Sequence, residues 1–143
     1  MTSLKTYALK YSIPLLSVIA IVICIYLLYV HYTAVIVACP DVGIINCGRV
    51  LTSNYSTLFN IPLPVFGLIY FIFILILSLF IKFENIIFFL SIISLFIVAI
   101  LVYIEFGILH SVCLYCSSIH AIAMIIFFVS LYKYIFRKEL NLW

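Results

Sequence analysis

The sequence predicts an all-α integral membrane protein, a bundle of four transmembrane helices with a long outer loop between the first and second. Three observations carry that prediction. Hydrophobic residues make up 69% of the 143 positions and charged residues only 8%, whereas a soluble domain is about 25% charged. Four apolar segments are each long enough to cross a hydrocarbon core of roughly 30 Å at about 1.5 Å per residue. The basic residues gather on one side of those crossings. A water-soluble globule is excluded, and a formal charge of +3 without an aromatic-interleaved basic patch excludes a nucleic-acid binder.

The spans fall at about 13–37, 62–81, 86–109 and 112–136, within a single membrane domain covering residues 1–143. A segment apolar all round carries no amphipathic stripe, so length and breaks define each one. The N-terminal apolar stretch exceeds the about 7–15 residues of a signal-peptide core, and so reads as the first span. Ile36-Val37-Ala38-Cys39 looks like a lipoprotein cleavage site, but cleavage there would discard that span and upset the charge pattern. Pro62 and Pro64 suit the first turn of the second span. Lys82, Glu84 and Asn85 interrupt the run before the third. His110 and Ser111 leave a very short joint before the fourth, which predicts a tight antiparallel hairpin.

Lys5 and Lys10, then Lys82, then Lys133, Arg137 and Lys138 all lie on one side of an even number of spans. The positive-inside rule makes that side, with both termini, cytoplasmic. The opposite, extracytoplasmic side keeps Arg49 and Asp41, and both of its loops carry cysteines.

Cys113-Leu114-Tyr115-Cys116 opens the last apolar segment. Two cysteines at i and i+3 share a helical face within disulfide reach, and the helix N-terminus stabilises a thiolate there. A redox dithiol directly above hydrocarbon points to an electron acceptor that lives in lipid. The loop at 38–61 holds a second pair, Cys39 and Cys47, with Gly43 and Gly48 allowing turns. Val50, Leu51, Leu58 and Phe59 are apolar enough to lay the loop back on the bundle as a lid. Its cysteines read either as a structural clasp or as a redox pair that reaches Cys113 and Cys116; two pairs on one membrane face favour the latter.

Further residues in the spans stand out. Cys24, deep in the first span, reads as a small packing residue, and Phe66, Tyr70, Phe71 and Phe73 as an aromatic packing wall. Glu105, one turn from the outer end of the third span, is costly unless wet or paired, with Arg49, His110 or His120 as candidate partners. His120 follows Cys116 by four positions on the same face, where an imidazole can donate a hydrogen bond to a carbonyl oxygen and deliver a proton.

These residues resemble the vitamin K epoxide reductase family of membrane thiol–quinone oxidoreductases over most of the chain. The likeness rests on Cys39-Pro-Asp-Val-Gly43 continuing to Cys47-Gly48-Arg49-Val50 and Ser53, on Phe66-Gly67 early in the second span, and on Cys113-x-x-Cys116 opening the fourth. The resemblance implies a four-helix bundle and a relay through four catalytic cysteines. Cys39 would form the mixed disulfide with a thioredoxin-like partner, Cys47 would resolve it and exchange with Cys113, and Cys116 would face the quinone. Ser53, Phe66 and His120 would line the quinone site.

The chain departs from the animal enzymes at Leu63, where they have asparagine, and at His120, where they have tyrosine. That favours a respiratory quinone such as ubiquinone or menaquinone over vitamin K epoxide. The chain closes at Trp143, so the partner is expected to be a separate protein on the outer side. Competing readings are a vitamin K epoxide or quinone reductase proper, a non-enzymatic membrane protein stapled by disulfides, and a Cys₄ zinc site.

Overall fold

The computed structural model describes residues 2–33, 38–40, 42–80 and 83–140, without the side chains of 2–7, 10 and 137–140. The expected ends of the first two spans (34–37 and 81), with Asp41, Lys82 and Trp143, lie outside the described residues. So do the side chains of Lys5, Lys10, Arg137 and Lys138.

Among the described residues, five α-helices follow one another: α1 (Thr2–Thr33), the short α2 (Cys47–Leu51), α3 (Leu63–Leu79), α4 (Glu84–Tyr103) and α5 (Leu114–Leu140). Between α2 and α3 come a 3₁₀ turn at Asn54–Ser56 and a minimal hairpin, β1 (Thr57–Leu58) against β2 (Ile61–Pro62), with Thr57 opposite Pro62. Phe59 and Asn60 turn that hairpin in the left-handed region, at φ 53° and 63°. A π turn, Ile104–Ile108, extends α4.

Among the described residues, three stretches are long and apolar enough to cross a membrane: Tyr11–Thr33, Glu84–Ile108 and Leu114–Phe136. The expected second span is shorter. Pro62 caps α3 in extended backbone and Phe80 ends it the same way, leaving a helix of 17 residues. At about 1.5 Å per residue that helix is some 5 Å shorter than a typical core. The helix of the expected fourth span begins at Leu114, so Cys113 precedes its first turn.

α1 packs on α3 and α5, and α4 packs on α5, while α3 and α4 touch only sparsely. The α1–α3 approach is close because both sides are small: a Cβ at Gly67 would lie 3.2 Å from the Cys24 sulfur. Ala20, Cys24, Phe71, Ile74, Ile87, Ile122 and Ile126 form the core. Outward faces carry large apolar residues such as Val22, Ile69, Phe96 and Phe128, while Ser17, Ser91, Ser94 and Ser130 are buried. An apolar exterior over a partly polar interior is the arrangement that lipid, not water, favours. Ser91 and Ser130 join α4 to α5 through hydroxyls 3.0 Å apart. Closer still to the open end of the same hairpin, Lys133 Nζ lies 3.7 Å from Glu84 Oε1. The tight joint between α4 and α5 is made by His110, at φ 48°.

Candidate functional site

The loop after α1 folds on itself before it meets the bundle. Gly43 adopts φ 65°, and Val42 and Ile45 exchange backbone hydrogen bonds of 3.2 and 3.1 Å around it. Asn46 then caps α2, its Oδ1 accepting from the Arg49 N–H at 2.8 Å. This sets Cys47 in the first turn of α2, disulfide-bonded to Cys39 across a Cα separation of 6.1 Å.

The loop is fastened to the start of α5 one residue ahead of each inner cysteine. Val112 donates to the Ile44 carbonyl at 2.8 Å and accepts from the Asn46 N–H at 3.1 Å, a parallel bridge between Ile45 and Val112. Cys47 follows on one side and Cys113 on the other. Both are buried, and with Val50 they form one cluster against which Cys39 and Cys116 pack. The four cysteines expected to act together are therefore together. Tyr115, inside the Cys-x-x-Cys motif, adds a second fastening by donating its hydroxyl to the Ala38 carbonyl at 2.9 Å while its ring meets Tyr26.

Cys113 and Cys116 are free thiols in different settings. Cys113 sits where an N-cap residue would, and its sulfur accepts the Cys116 N–H at 3.4 Å. Hydrogen bonding from the Cys116 side chain holds the Cys113 thiol below its ordinary range, against the opposing effect of burial. The helix N-terminus thus favours the thiolate at Cys113, while Cys116 is the sulfur that borders open space.

That space is a cavity of about 250 Å³ between α3 and α4, with α1, α5 and the loop completing its lining. Ser53, Phe66, Cys116 and His120 all line it. The Ser53 hydroxyl donates to the Val50 carbonyl at 2.7 Å, which leaves its lone pairs, not its proton, for a ligand. His120 is 8% exposed, and its Nδ1 has no hydrogen-bond partner among the described residues.

The aromatic wall divides. Phe71 enters the core, Phe73 is exposed, and Phe66 and Tyr70 line the cavity. The i, i+4 spacing of Phe66 and Tyr70 was the available signal. Cys24 is buried against Gly67 and also lines the cavity. Glu105 lines it too, 5% exposed, and its Oε2 has no hydrogen-bond partner among the described residues, so the expected pairing with Arg49, His110 or His120 is not seen at that oxygen. Among the described residues no three His, Cys, Asp or Glu side chains converge as metal ligands.

A sulfur-to-sulfur path thus runs from the loop disulfide to a helix-capping thiol, and from there to a thiol facing an apolar cavity. A protein-family model described as the vitamin K epoxide reductase family matches residues 12–131, a stretch that contains all of these residues. No curated protein matches the chain.

Proposed function

The chain belongs to the vitamin K epoxide reductase family, and from that premise we propose that it oxidises the dithiol of a separate thioredoxin-like protein and passes two electrons to a membrane quinone, supporting disulfide formation outside the cytoplasmic membrane. Family membership and the apolar helices make it a multi-pass membrane oxidoreductase. The finer reading takes α3 as a fourth span and the termini as cytoplasmic, with the cysteines on the outer side.

The observation that carries it is the burial of Cys47 against Cys113 in one cluster, with Cys116 bordering the cavity. In the proposed relay a partner thiolate attacks Cys39 and forms a mixed disulfide. The partner's second thiol resolves it, leaving Cys39 and Cys47 reduced; resolution by Cys47, as the resemblance implies, would only return the starting disulfide. Cys47 then attacks Cys113 of an oxidised Cys113–Cys116 pair, and exchange returns Cys39–Cys47 to the disulfide with Cys113 and Cys116 as thiols. That is the redox pattern of the chain here: the inner dithiol loaded, the outer pair ready to be reduced again.

The cavity fits the head group of a quinone. Its volume is near the lower end of the roughly 300–1,000 Å³ typical of small-molecule pockets, and it is mostly apolar, with Phe66 as a ring contact. His120 offers an unpartnered ring nitrogen to a carbonyl oxygen. A quinone bound there supplies a two-electron, two-proton sink. The chain supplies the rest: Cys113 as the stabilised thiolate, Cys116 as the sulfur next to the ring, and apolar walls that exclude water.

The test is quinone reduction by the detergent-solubilised protein, driven by a reduced thioredoxin-like dithiol, beside Cys116→Ser. Turnover in the wild type that disappears in the variant supports the proposal. No turnover with any quinone, its thiols being accessible, would favour a merely stapled membrane protein.

A further inference from the structure

One acid in the cavity has no part in the relay so far. Glu105 is 5% exposed, its Oε2 is unpartnered among the described residues, and it borders the same cavity as Cys116 and His120. A carboxyl at this depth is costly and an apolar side chain there would not be. The Nδ1 of His120, which lines the same cavity, is likewise buried and without a partner among the described residues.

The backbone is shaped around this acid. The π turn Ile104–Ile108 interrupts the α-helical register of the apolar stretch Glu84–Ile108 at Glu105, and π turns recur at functional sites because the wider turn re-aims the side chains it carries. The Leu109 N–H closes it by donating to the Ile104 carbonyl at 2.9 Å. The Glu105 carbonyl accepts from the Ser111 N–H at 3.1 Å, and Ser111 is itself buried two residues before Cys113. Acid and thiols are therefore built into one corner of the α4–α5 hairpin.

From this arrangement, and resting on the function proposed above, we infer that Glu105 is a proton-donating catalytic residue for quinone reduction, working in the same cavity as His120. When the Cys113–Cys116 S–S bond forms, two electrons pass from the sulfurs to the quinone with two protons, one from the Cys116 thiol and one that Cys113 gives up on becoming a thiolate, giving the quinol. Glu105, as the neutral acid, gives its proton to one quinone oxygen, and its carboxylate takes up the proton released by one thiol. His120 carries the other proton from the second thiol to the second oxygen. Both side chains end as they began.

The experiment compares the wild type with Glu105→Gln and Glu105→Asp, measuring quinone kcat and KM separately from single-turnover exchange of the cysteine pairs. A glutamine keeps the shape and a hydrogen-bond donor but has no acidic proton. We expect kcat to fall by about 100-fold, with quinone KM and cysteine exchange close to wild type, and Glu105→Asp to recover part of the rate. A second readout needs no turnover. In a Cys113→Ser/Cys116→Ser background, the infrared carbonyl band of a protonated carboxylic acid should shift when a quinone is added and be missing after Glu105→Gln. Wild-type kcat in Glu105→Gln, a rise in KM alone, or the absence of such a band would each overturn the inference. Failure of the wild type to reduce any quinone would instead overturn the proposed function beneath it.

Discussion

Replacing Gly43 by alanine tests how firmly the loop is held over the inner thiols. The residue sits at φ 65°, and a Cβ built there meets nothing within 4 Å. The effect is therefore purely conformational: the left-handed region costs an L-residue about 1–2 kcal/mol. That strain exists only while the loop is folded, because an opened loop lets the residue relax. Cys113 has no exposed surface and is covered by Cys47 and Val50, so a small alkylating agent reaches it through opening. An opening equilibrium shifted by 1–2 kcal/mol changes by roughly 5–30-fold. Alkylation of Cys113 at fixed pH, followed by mass spectrometry, should speed up by that factor. Gly43→Asn should show a smaller increase, since asparagine tolerates the left-handed region better. An unchanged rate in Gly43→Ala, or equal effects of Ala and Asn, would refute the idea that this turn keeps Cys47 docked on Cys113.

Three other outcomes follow from the site. Because the Cys113 thiol is held below its ordinary range, chiefly by Cys116, its alkylation should persist as pH falls below the usual thiol range and stop only below its own lowered value. Cys116→Ala should move that profile back toward higher pH. Cys24→Ala leaves a small void against Gly67; a modest loss of thermal stability, on the order of 1 kcal/mol, with quinone turnover nearly intact, is expected, and a large loss of turnover would make Cys24 more than packing. His120→Leu should lower quinone turnover more than exchange with the partner, as measured by kcat and KM for each substrate; unchanged quinone kinetics would remove His120 from the site.

Much of the arrangement could be read from the residues because it depends on long apolar runs and cysteine spacing. Three of the long helices and the tight turn at His110 follow from length and interruption alone. α3 departed from its expected extent because extended backbone at Pro62 and Phe80 trims both ends of its apolar run, and apolar composition does not register backbone conformation. The π turn at Glu105 was invisible for a related reason. In a segment apolar on every side no pattern marks where the helical register changes.

The cysteines show the same division. Spacing put Cys113 and Cys116 on one face, but it did not distinguish the capping sulfur from the one at the cavity. That difference arises from the hydrogen bond of the Cys116 N–H to Cys113. The bridge between Ile45 and Val112 pairs two loops far apart in sequence, and its backbone hydrogen bonds leave no trace in residue type. The hydroxyl of Tyr115 holds the Ala38 carbonyl beside Cys39, a contact that the Cys-x-x-Cys spacing does not mark.

The central claim is that electrons pass between the loop pair and the helix pair through Cys47 and Cys113. The direct measurement is peptide mapping of the Cys39→Ser/Cys116→Ser variant after mild oxidation in membranes. Its two remaining relay sulfurs should be joined as an intramolecular Cys47–Cys113 disulfide. Recovery of both as freely alkylated thiols would contradict the relay.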